Sequence, residues 1–279
     1  MKEHHSIATL CAALAVSRAG YYHWKSAPPG MRECEDSHLI QTIHKAHAES
    51  HGSYGSPRIT RKLRKEGRHH GRKRIARLMR QEGLSGRVRR RFVPKTTQSN
   101  HDEPIAPNRL AEAAPPTAAN QMWTSDITYV QTGEGWLYVA AVLDLWSRKI
   151  VGWAVGDSLA ADLVIRALDQ ALTRRTPPAG LLYHSDRGVQ YACRDFRQVL
   201  SAARLVPSMS RKGNCYDNAT MESFWSSYKT EWVYAQPEYA TRADATAAAF
   251  SYIEVFYNRE RLHSSLGYQS PVDFENQNN

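Results

Sequence analysis

The chain has 279 residues, 42% of them hydrophobic, which supplies a sizeable core and favours two domains over one. Its 37 Lys and Arg against 27 Asp and Glu give a formal net charge of +10, which favours a polyanion such as nucleic acid as partner. The absence of a membrane-length apolar run, a signal-peptide segment or a CxxC pair argues against a membrane, secreted, disulfide-rich or zinc-knuckle protein, so we expect a cytoplasmic setting.

The charge is unevenly distributed along the chain. Residues 1–100 hold 21 Lys and Arg but only 7 Asp and Glu, whereas the remainder holds 16 basic and 20 acidic residues. A basic front part suits polyanion binding, and a mildly acidic back part would repel a polyanion unless cations lie between them. The pattern therefore predicts that the front part binds a polyanion and that the remainder carries functional carboxylates.

Residues 6–26 predict a pair of short helices. Apolar side chains at residues 7, 10, 11 and 14 share one helical face, and Ser17 is a good cap for a second helix. Helix, turn and helix is a DNA-reading arrangement, but it is also an ordinary structural hairpin, and the pattern leaves both interpretations open. A third helix is expected from Asp36 to about His47.

Two basic helices are predicted next, with apolar stripes at Ile59 and Leu63 and at Ile75, Leu78 and Met79. Between residues 58 and 95 there are 16 basic residues and two acidic ones. A solvated charged face is the alternative, but charges of one sign repel unless phosphates neutralise them, which favours nucleic-acid binding. The predicted DNA contacts here are Arg58, Arg61, Lys62, Arg72, Lys73, Arg74, Arg77, Arg89, Arg90 and Arg91.

The predicted domain organisation follows the change in composition. Residues 1–91 form the basic helical, helix-turn-helix-like region, and 92–121 are a Pro-rich linker. Residues 122–235 form the α/β core and 236–279 a C-terminal helical extension. In the core the predicted order is three strands, helix, strand, helix, strand, helix, helix, which indicates a mixed five-stranded sheet of the ribonuclease-H-like class.

Three acids stand out by position in the predicted core. Asp126 lies within a strand, where Asp is disfavoured, Asp186 closes a buried strand, and Glu222 opens a helix capped by Asn218. Each also has a structural explanation, as an edge-strand acid, a turn former and a complement to the helix dipole. The topology can bring all three to one end of the sheet, where they would hold two Mg²⁺ or Mn²⁺ ions about 4 Å apart for in-line displacement at phosphorus.

Basic residues accompany these acids. Lys229 lies two turns after Glu222 on the same predicted helix face, where it would contact a phosphate, although a solvated surface lysine is the alternative. Arg211 and Lys212 belong to a basic, glycine-containing loop and are further predicted DNA contacts.

The spacing of the acids and the sequence motifs around them resemble those of a known family. Thirty-five residues separate Asp186 from Glu222, as in the DDE signature of retroviral integrases and many insertion-sequence transposases. The chain is similar to the transposases encoded by the second frame of two-reading-frame insertion sequences (OrfB-like) in WTSDITYV, GWLYVAAVLDLWSRKIVGW, HSDRGVQY, NCYDNATMESFW and YNRERLHSSLGYQSPVDF. The front half matches as well, through YGSPRI, RKRIARLMRQEGL and RVRRRFVP.

The resemblance implies an activity and a set of roles. Asp126, Asp186 and Glu222 would be the catalytic, metal-binding triad, with Lys229 beside them, for cleavage at transposon ends and strand transfer into DNA. Two ends must meet, so a homo-oligomer is expected, with the upstream-frame product as a possible fusion or partner. The C-terminal family signature would include Tyr257, Asn258, Arg259, Arg261, His263 and Gly267, of which Arg259, Arg261 and His263 are predicted DNA contacts.

The chain departs from relatives of this superfamily in two respects. It lacks the HHCC zinc module of retroviral integrases and shows no heptad segment of the kind carried by frameshifted fusion transposases. Two other functions stay open at the level of sequence: a DNA-binding regulator with a silent catalytic fold, and a ribonuclease-H-like nuclease without joining activity.

Overall fold

The computed structural model describes residues 5–28, 30–88, 103–211, 215–235 and 238–278, with the side chains of residues 215 and 216 left undescribed. The predicted contacts Arg89, Arg90, Arg91 and Lys212 lie outside these residues. No helix in the described part of the chain is long and apolar enough to cross a membrane.

The front region is helical, as predicted. Its helices are α1 (Ile7–Ala13), α2 (Arg18–Ser26), α3 (Met31–Glu49), α4 (Ser56–Lys65) and α5 (Arg72–Gln81). Ser17 caps α2 as expected, because its hydroxyl accepts from the backbone N–H of Gly20 at 2.9 Å. The predicted start of α3 at Asp36 is wrong: the helix begins at Met31, where Glu33 accepts from the backbone N–H of Gly30 at 2.9 Å.

The sheet has the predicted five strands and the order β3-β2-β1-β4-β5. They are β1 (Met122–Thr132), β2 (Gly135–Asp144), β3 (Ile150–Gly156), β4 (Leu182–Ser185) and β5 (Val206–Met209). The first three form the predicted antiparallel meander, and β4 and β5 add in parallel on the other side of β1. This mixed sheet with helices on its faces confirms the ribonuclease-H-like fold class.

The helices after the meander are α6 (Ala161–Arg175), α7 (Val189–Ala192), α8 (Arg194–Ala202), α9 (Ala219–Glu231), α10 (Arg242–Phe250) and α11 (Pro271–Asn278). A helix was expected from Arg242 to Asn258, and the chain does stay helical there, but it changes to a π-helix over Ser251–Glu260. The wider turn carries Tyr252, Phe256 and Tyr257 into the core. Helix α11 was not predicted.

Buried apolar side chains form a layer on each face of the sheet. One layer packs α6 and α8 against the sheet through residues such as Trp123, Leu168 and Phe196. The other is a single cluster that includes Ile59 of α4, Val139 of β2 and side chains of α9 and the π-helix. The basic front helices therefore share a hydrophobic core with the sheet, and removing that apolar surface from water is what holds them there.

Hydrogen bonds reinforce this packing. The backbone N–H of Leu262 donates to the Tyr54 hydroxyl at 2.8 Å, and Lys65 pairs with Asp273 at 2.8 Å. The described part of the predicted linker is also attached to the sheet, because the backbone N–H groups of Arg109 and Leu110 donate to the hydroxyl of Ser208 on β5.

Candidate active site

Asp126 lies on β1, and Asp186 directly follows the neighbouring parallel strand β4. Thr124 of β1 is in register with His184 of β4, so continuing the register by two residues places Asp186 beside Asp126. Adjacent strands lie about 4.8 Å apart. The topology thus brings together two acids that are 60 positions apart in sequence.

Glu222 approaches the same pair from helix α9, which packs against β1. Burial raises the pKa of Asp126 well above its usual value, and the negative charges of Asp186 and then Glu222 raise it further. A carboxyl responds in this way only when the like charges are near. The three predicted acids therefore converge at one place.

Backbone amides orient both aspartates. The N–H of Ile127 donates to Asp126 Oδ1 at 2.9 Å, and the N–H of Gly188 donates to Asp186 Oδ1 at 2.8 Å. A β-carbon at residue 188 would lie 3.0 Å from that same oxygen, so a larger residue there would press on the Asp186 carboxylate.

The start of α9 is attached to the strand that carries Asp126. Asn218 occupies the cap position, but its side chain makes no capping bond. Instead its Oδ1 accepts from the Thr124 hydroxyl at 2.6 Å, and Arg148 donates to the Thr220 hydroxyl at 2.7 Å. These bonds fix the first turn of α9, and with it Glu222, relative to β1.

Buried His184 supports the end of β4. Its two ring nitrogens bond the hydroxyls of Ser208 and Ser210 at 2.9 and 3.0 Å. Burial lowers the pKa of His184 to about 4, so the ring is neutral at pH 7. His184, two residues before Asp186, is thus a neutral side chain that links β4 to the end of β5.

Lys229 faces the acid cluster from the second half of α9. Its Nζ lies 4.6 Å from the centroid of the Tyr129 ring. Burial lowers the pKa of Lys229, and the charge of Asp126 partly offsets that effect. The ammonium group therefore lies within the electrostatic reach of the triad, as the spacing along the helix predicted.

Glu231, at the end of α9, is a buried acid that the sequence did not single out. It accepts from Arg261 at 2.6 and 2.7 Å, from Arg58 at 3.3 Å and from the Tyr252 hydroxyl at 3.3 Å. Arg58 and Arg261 were predicted to contact DNA, but their guanidinium groups are engaged inside the protein. His263 is buried beside them, where desolvation and these cations lower its pKa.

The other predicted DNA contacts divide into two groups. Several have ion-pair partners: Arg74 and Arg77 bind Asp36, Lys62 binds Glu49 and Arg211 binds Asp217. Of these, Arg77 and Arg211 are nevertheless exposed on the surface, as are the remaining predicted contacts Arg61, Arg72, Lys73 and Arg259. Arg61 lies over the ring of Tyr268, with 4.9 Å between the guanidinium carbon and the ring centroid.

The donor set suits a hard divalent cation. Three carboxylates supply only oxygen ligands, which hard divalent cations prefer. Burial, then the charges of Asp186 and Glu222, raise the pKa of Asp126, so a cation bound here would relieve the repulsion among them. Within the described residues, no three such side chains already meet at metal-ligand spacing, so a bound cation would have to draw these carboxylates together.

Comparison with known families divides the chain into three matched segments. Residues 33–92 match a model described as an HTH-like domain, and residues 116–215 and 203–271 match two models described as integrase core domains. The first segment covers most of α3 together with α4 and α5, within the helix-turn-helix-like region predicted for residues 1–91. Helices α1 and α2, for which the sequence left a DNA-reading pair and a structural hairpin open, lie outside that match.

Curated relatives match almost the whole chain. An insertion element IS600 protein of 31 kDa from Shigella sonnei is 44% identical over 95% of this chain and 97% of its own length. The transposase InsF for insertion sequence IS3A from Escherichia coli K12 is 39% identical over 98% of this chain and 95% of its own length.

Solved structures with a similar course of the chain include viral integrases. A chain of a simian T-cell lymphotropic virus intasome matches with a TM-score of 0.49 and 13% identity, over 84% of this chain and 74% of that one. The HTLV-2 integrase catalytic core, solved with magnesium, matches with a TM-score of 0.44 and 12% identity, over 57% of this chain and 98% of that one.

Proposed function

Because this chain belongs to the insertion-sequence transposases that carry an integrase core domain, and is a DNA transposase, we propose that Asp126, Asp186 and Glu222 are its catalytic carboxylates. The observation that carries the proposal is the geometry: the β1–β4 register places Asp186 beside Asp126, and α9, which carries Glu222, packs against β1. The reaction is hydrolysis of a phosphodiester at a transposon end, followed by attack of the freed 3′-hydroxyl on a second phosphodiester.

The proposed cofactors are two Mg²⁺ or Mn²⁺ ions held by the three carboxylates. Such ions activate the attacking oxygen and stabilise the leaving oxygen of an in-line displacement. Asp126 and Asp186, each held by a backbone amide, position their carboxylates on the sheet, and α9 brings Glu222 from above it. Lys229 contributes a fixed positive charge that attracts a phosphate of the substrate strand.

The remaining exposed cations are proposed as the wider DNA surface. Arg61, Arg72 and Lys73 lie on the front helices and Arg259 near the C-terminal signature. Arg58, Arg74 and Arg261 are left out of this proposal, because acidic partners within the protein already hold them. We further propose that two or more copies act together on two ends, with the product of an upstream frame as a fusion or partner.

The decisive experiment uses the full chain and duplex DNA carrying the terminal repeats that flank the gene. With Mg²⁺ or Mn²⁺, Asp126→Asn, Asp186→Asn and Glu222→Gln should each lower cleavage and joining by at least about a hundredfold. DNA binding should stay within a factor of two. Asp169→Asn, at an exposed carboxylate on α6, is the matched control. Retained cleavage in any of the three variants would contradict the triad assignment.

A further inference from the structure

A group of aromatic side chains lies at the surface near the hairpin that joins β1 to β2. We call Tyr129, Trp136 and Tyr234 the aromatic cluster. The rings of Tyr129 and Trp136 meet edge to face, with centroids 4.9 Å apart. Tyr234 lies in the short turn Val233–Ala235 that follows α9, five residues after Lys229, whose Nζ is 4.6 Å from the Tyr129 ring centroid. In keeping with that position, burial and then Tyr234 in its ionised form raise the pKa of Tyr129. The three side chains therefore form one patch built from two separate chain segments.

Strand packing explains only part of this cluster. Tyr129 faces Tyr138 across the β1–β2 ladder, a cross-strand aromatic pair that stabilises a sheet. Trp136 and Tyr234 instead leave 43% and 40% of their surface exposed to water. Exposed apolar surface of this size, grouped rather than scattered, is typical of a binding site.

Cations surround the aromatic cluster. Lys229 Nζ lies 4.6 Å from the centroid of the Tyr129 ring. On the other side, Arg242 Nε donates to the backbone carbonyl of Trp136 at 3.1 Å, which holds the guanidinium beside the hairpin. Aromatic faces among positive charges match a nucleic acid, whose bases stack on rings while its phosphates seek the cations.

The cluster lies close to the proposed catalytic carboxylates. Tyr129 follows Asp126 by three residues on β1, about 10 Å along the strand, and its side chain leaves the opposite face. Lys229 connects the two positions, because α9 carries it two turns after Glu222 and its Nζ lies 4.6 Å from the Tyr129 ring centroid. In a stacked DNA strand, about 10 Å corresponds to roughly three nucleotides at about 3.4 Å each. A strand that runs from the carboxylates past Lys229 therefore has its neighbouring bases within reach of these rings.

A paired base cannot occupy such a site, because both of its faces are covered by its neighbours in the duplex. We propose that Tyr129, Trp136 and Tyr234 form a stacking site for an unpaired nucleobase of the DNA strand next to the cleaved phosphodiester. The inference rests on the proposed function, since it takes the position of the phosphate from the triad. The site would hold the DNA end open and would tolerate any base, because every base has a face to stack.

The test compares two versions of the transposon end, fully paired or with three unpaired nucleotides beside the cleavage position. Affinity of the full chain for each is measured in EDTA by fluorescence anisotropy. The wild type should prefer the unpaired end, and Trp136→Ala and Tyr234→Ala should each reduce that preference about tenfold. Trp136→Phe, which keeps a ring, should retain most of it. Phe250→Ala, at a residue 53% exposed on α10, is the control and should leave it unchanged.

A second measurement does not depend on how the variants fold. 5-Iodouracil placed at each of the three positions should form a light-induced crosslink to the wild-type peptide that contains Trp136 or Tyr234. The proposal would be overturned if the wild type and both alanine variants showed the same preference for the unpaired end. It would also be overturned if crosslinks mapped only to peptides without Trp136 or Tyr234. Both readouts are taken without divalent metal, so they are independent of cleavage. Loss of the proposed function would show instead as absence of cleavage by the wild type in Mg²⁺.

Discussion

Arg261 and Glu231 form a buried ion pair with two hydrogen bonds, of 2.6 and 2.7 Å, between the C-terminal segment and the end of α9. Both side chains are almost fully buried. Arg58 of α4 adds a third bond to the same carboxylate. The helix that carries Glu222 at its start is thus held at its other end by two arginines from distant parts of the chain.

We expect Glu231→Gln to destabilise the protein strongly, because two buried guanidinium groups lose their counter-charge. Breaking a buried pair from one side costs about 3–5 kcal/mol. The free energy of unfolding, measured by urea denaturation, checks this. Asp162→Asn, which breaks the exposed Arg166–Asp162 pair on α6, is the control and should cost less than about 1 kcal/mol. Similar losses in the two variants would contradict the structural role of Glu231.

We expect Asp126→Asn to stabilise the metal-free protein at neutral pH. The pKa of Asp126 in the folded protein lies above its usual 3.8, so the folded state binds more protons than the unfolded state as the pH rises past that value. The free energy of unfolding then falls over this range, by about 1.4 kcal/mol for each unit of pKa difference.

Thermal unfolding in EDTA from pH 4 to 8 measures this effect. The wild type should lose stability toward pH 8 relative to Asp126→Asn. Added Mg²⁺ should raise the Tm of the wild type more than that of the variant, since the cation compensates the carboxylate charge. If both proteins respond equally to pH and to Mg²⁺, the carboxylates are not coupled through Asp126.

We expect Lys229→Met to weaken DNA binding in a salt-dependent manner. Loss of one phosphate contact should lower the slope of log affinity against log salt by about 0.9. Cleavage should also slow, because the ammonium lies within reach of Asp126. Arg174→Met is the control: it removes a cation of α6 that is paired with Glu254, and it should leave the slope unchanged. An unchanged slope for Lys229→Met would mean that this lysine only packs on Tyr129.

On α5, we expect Arg72 and Lys73 to contribute to DNA binding, whereas Arg74 contributes mainly to stability. Arg72 and Lys73 are exposed, so Arg72→Ala and Lys73→Ala should each lower the salt slope by about 0.9 with little effect on stability. Arg74 binds Asp36 at 2.6 Å and Glu35 at 3.0 Å. Arg74→Ala should therefore lower the Tm by loosening α3 from α5, with a smaller change in slope. Salt titrations and melting curves on the same three variants separate these outcomes.

Local patterns predicted most of the fold. Alternating apolar residues and turn signals identified the β1–β2–β3 meander, and the apolar stripes of α4 and α5 placed their buried faces. The acids were recognisable because Asp126 occupies a strand position that disfavours Asp and Asp186 closes a buried strand.

Long-range pairing could not be predicted from such patterns. Arg58 is 173 positions from Glu231, and within the basic run it resembles any other surface cation. Asp36 has the residue type of a helix cap, but its carboxylate binds two arginines of α5. The charge of a side chain is visible in sequence, whereas its partner depends on packing that joins both ends of the chain.

The hydrophobic core shared by the front helices and the sheet limits which segments related transposases can exchange with one another. A chimera that took its front helices from a relative would bring a Tyr54 and an Arg58 evolved against another C-terminal segment. The matching segment around Leu262 would have to travel with them. A functional exchange therefore requires the front helices and the C-terminal segment around Leu262 to be inherited together, even though the proposed triad lies between them in sequence.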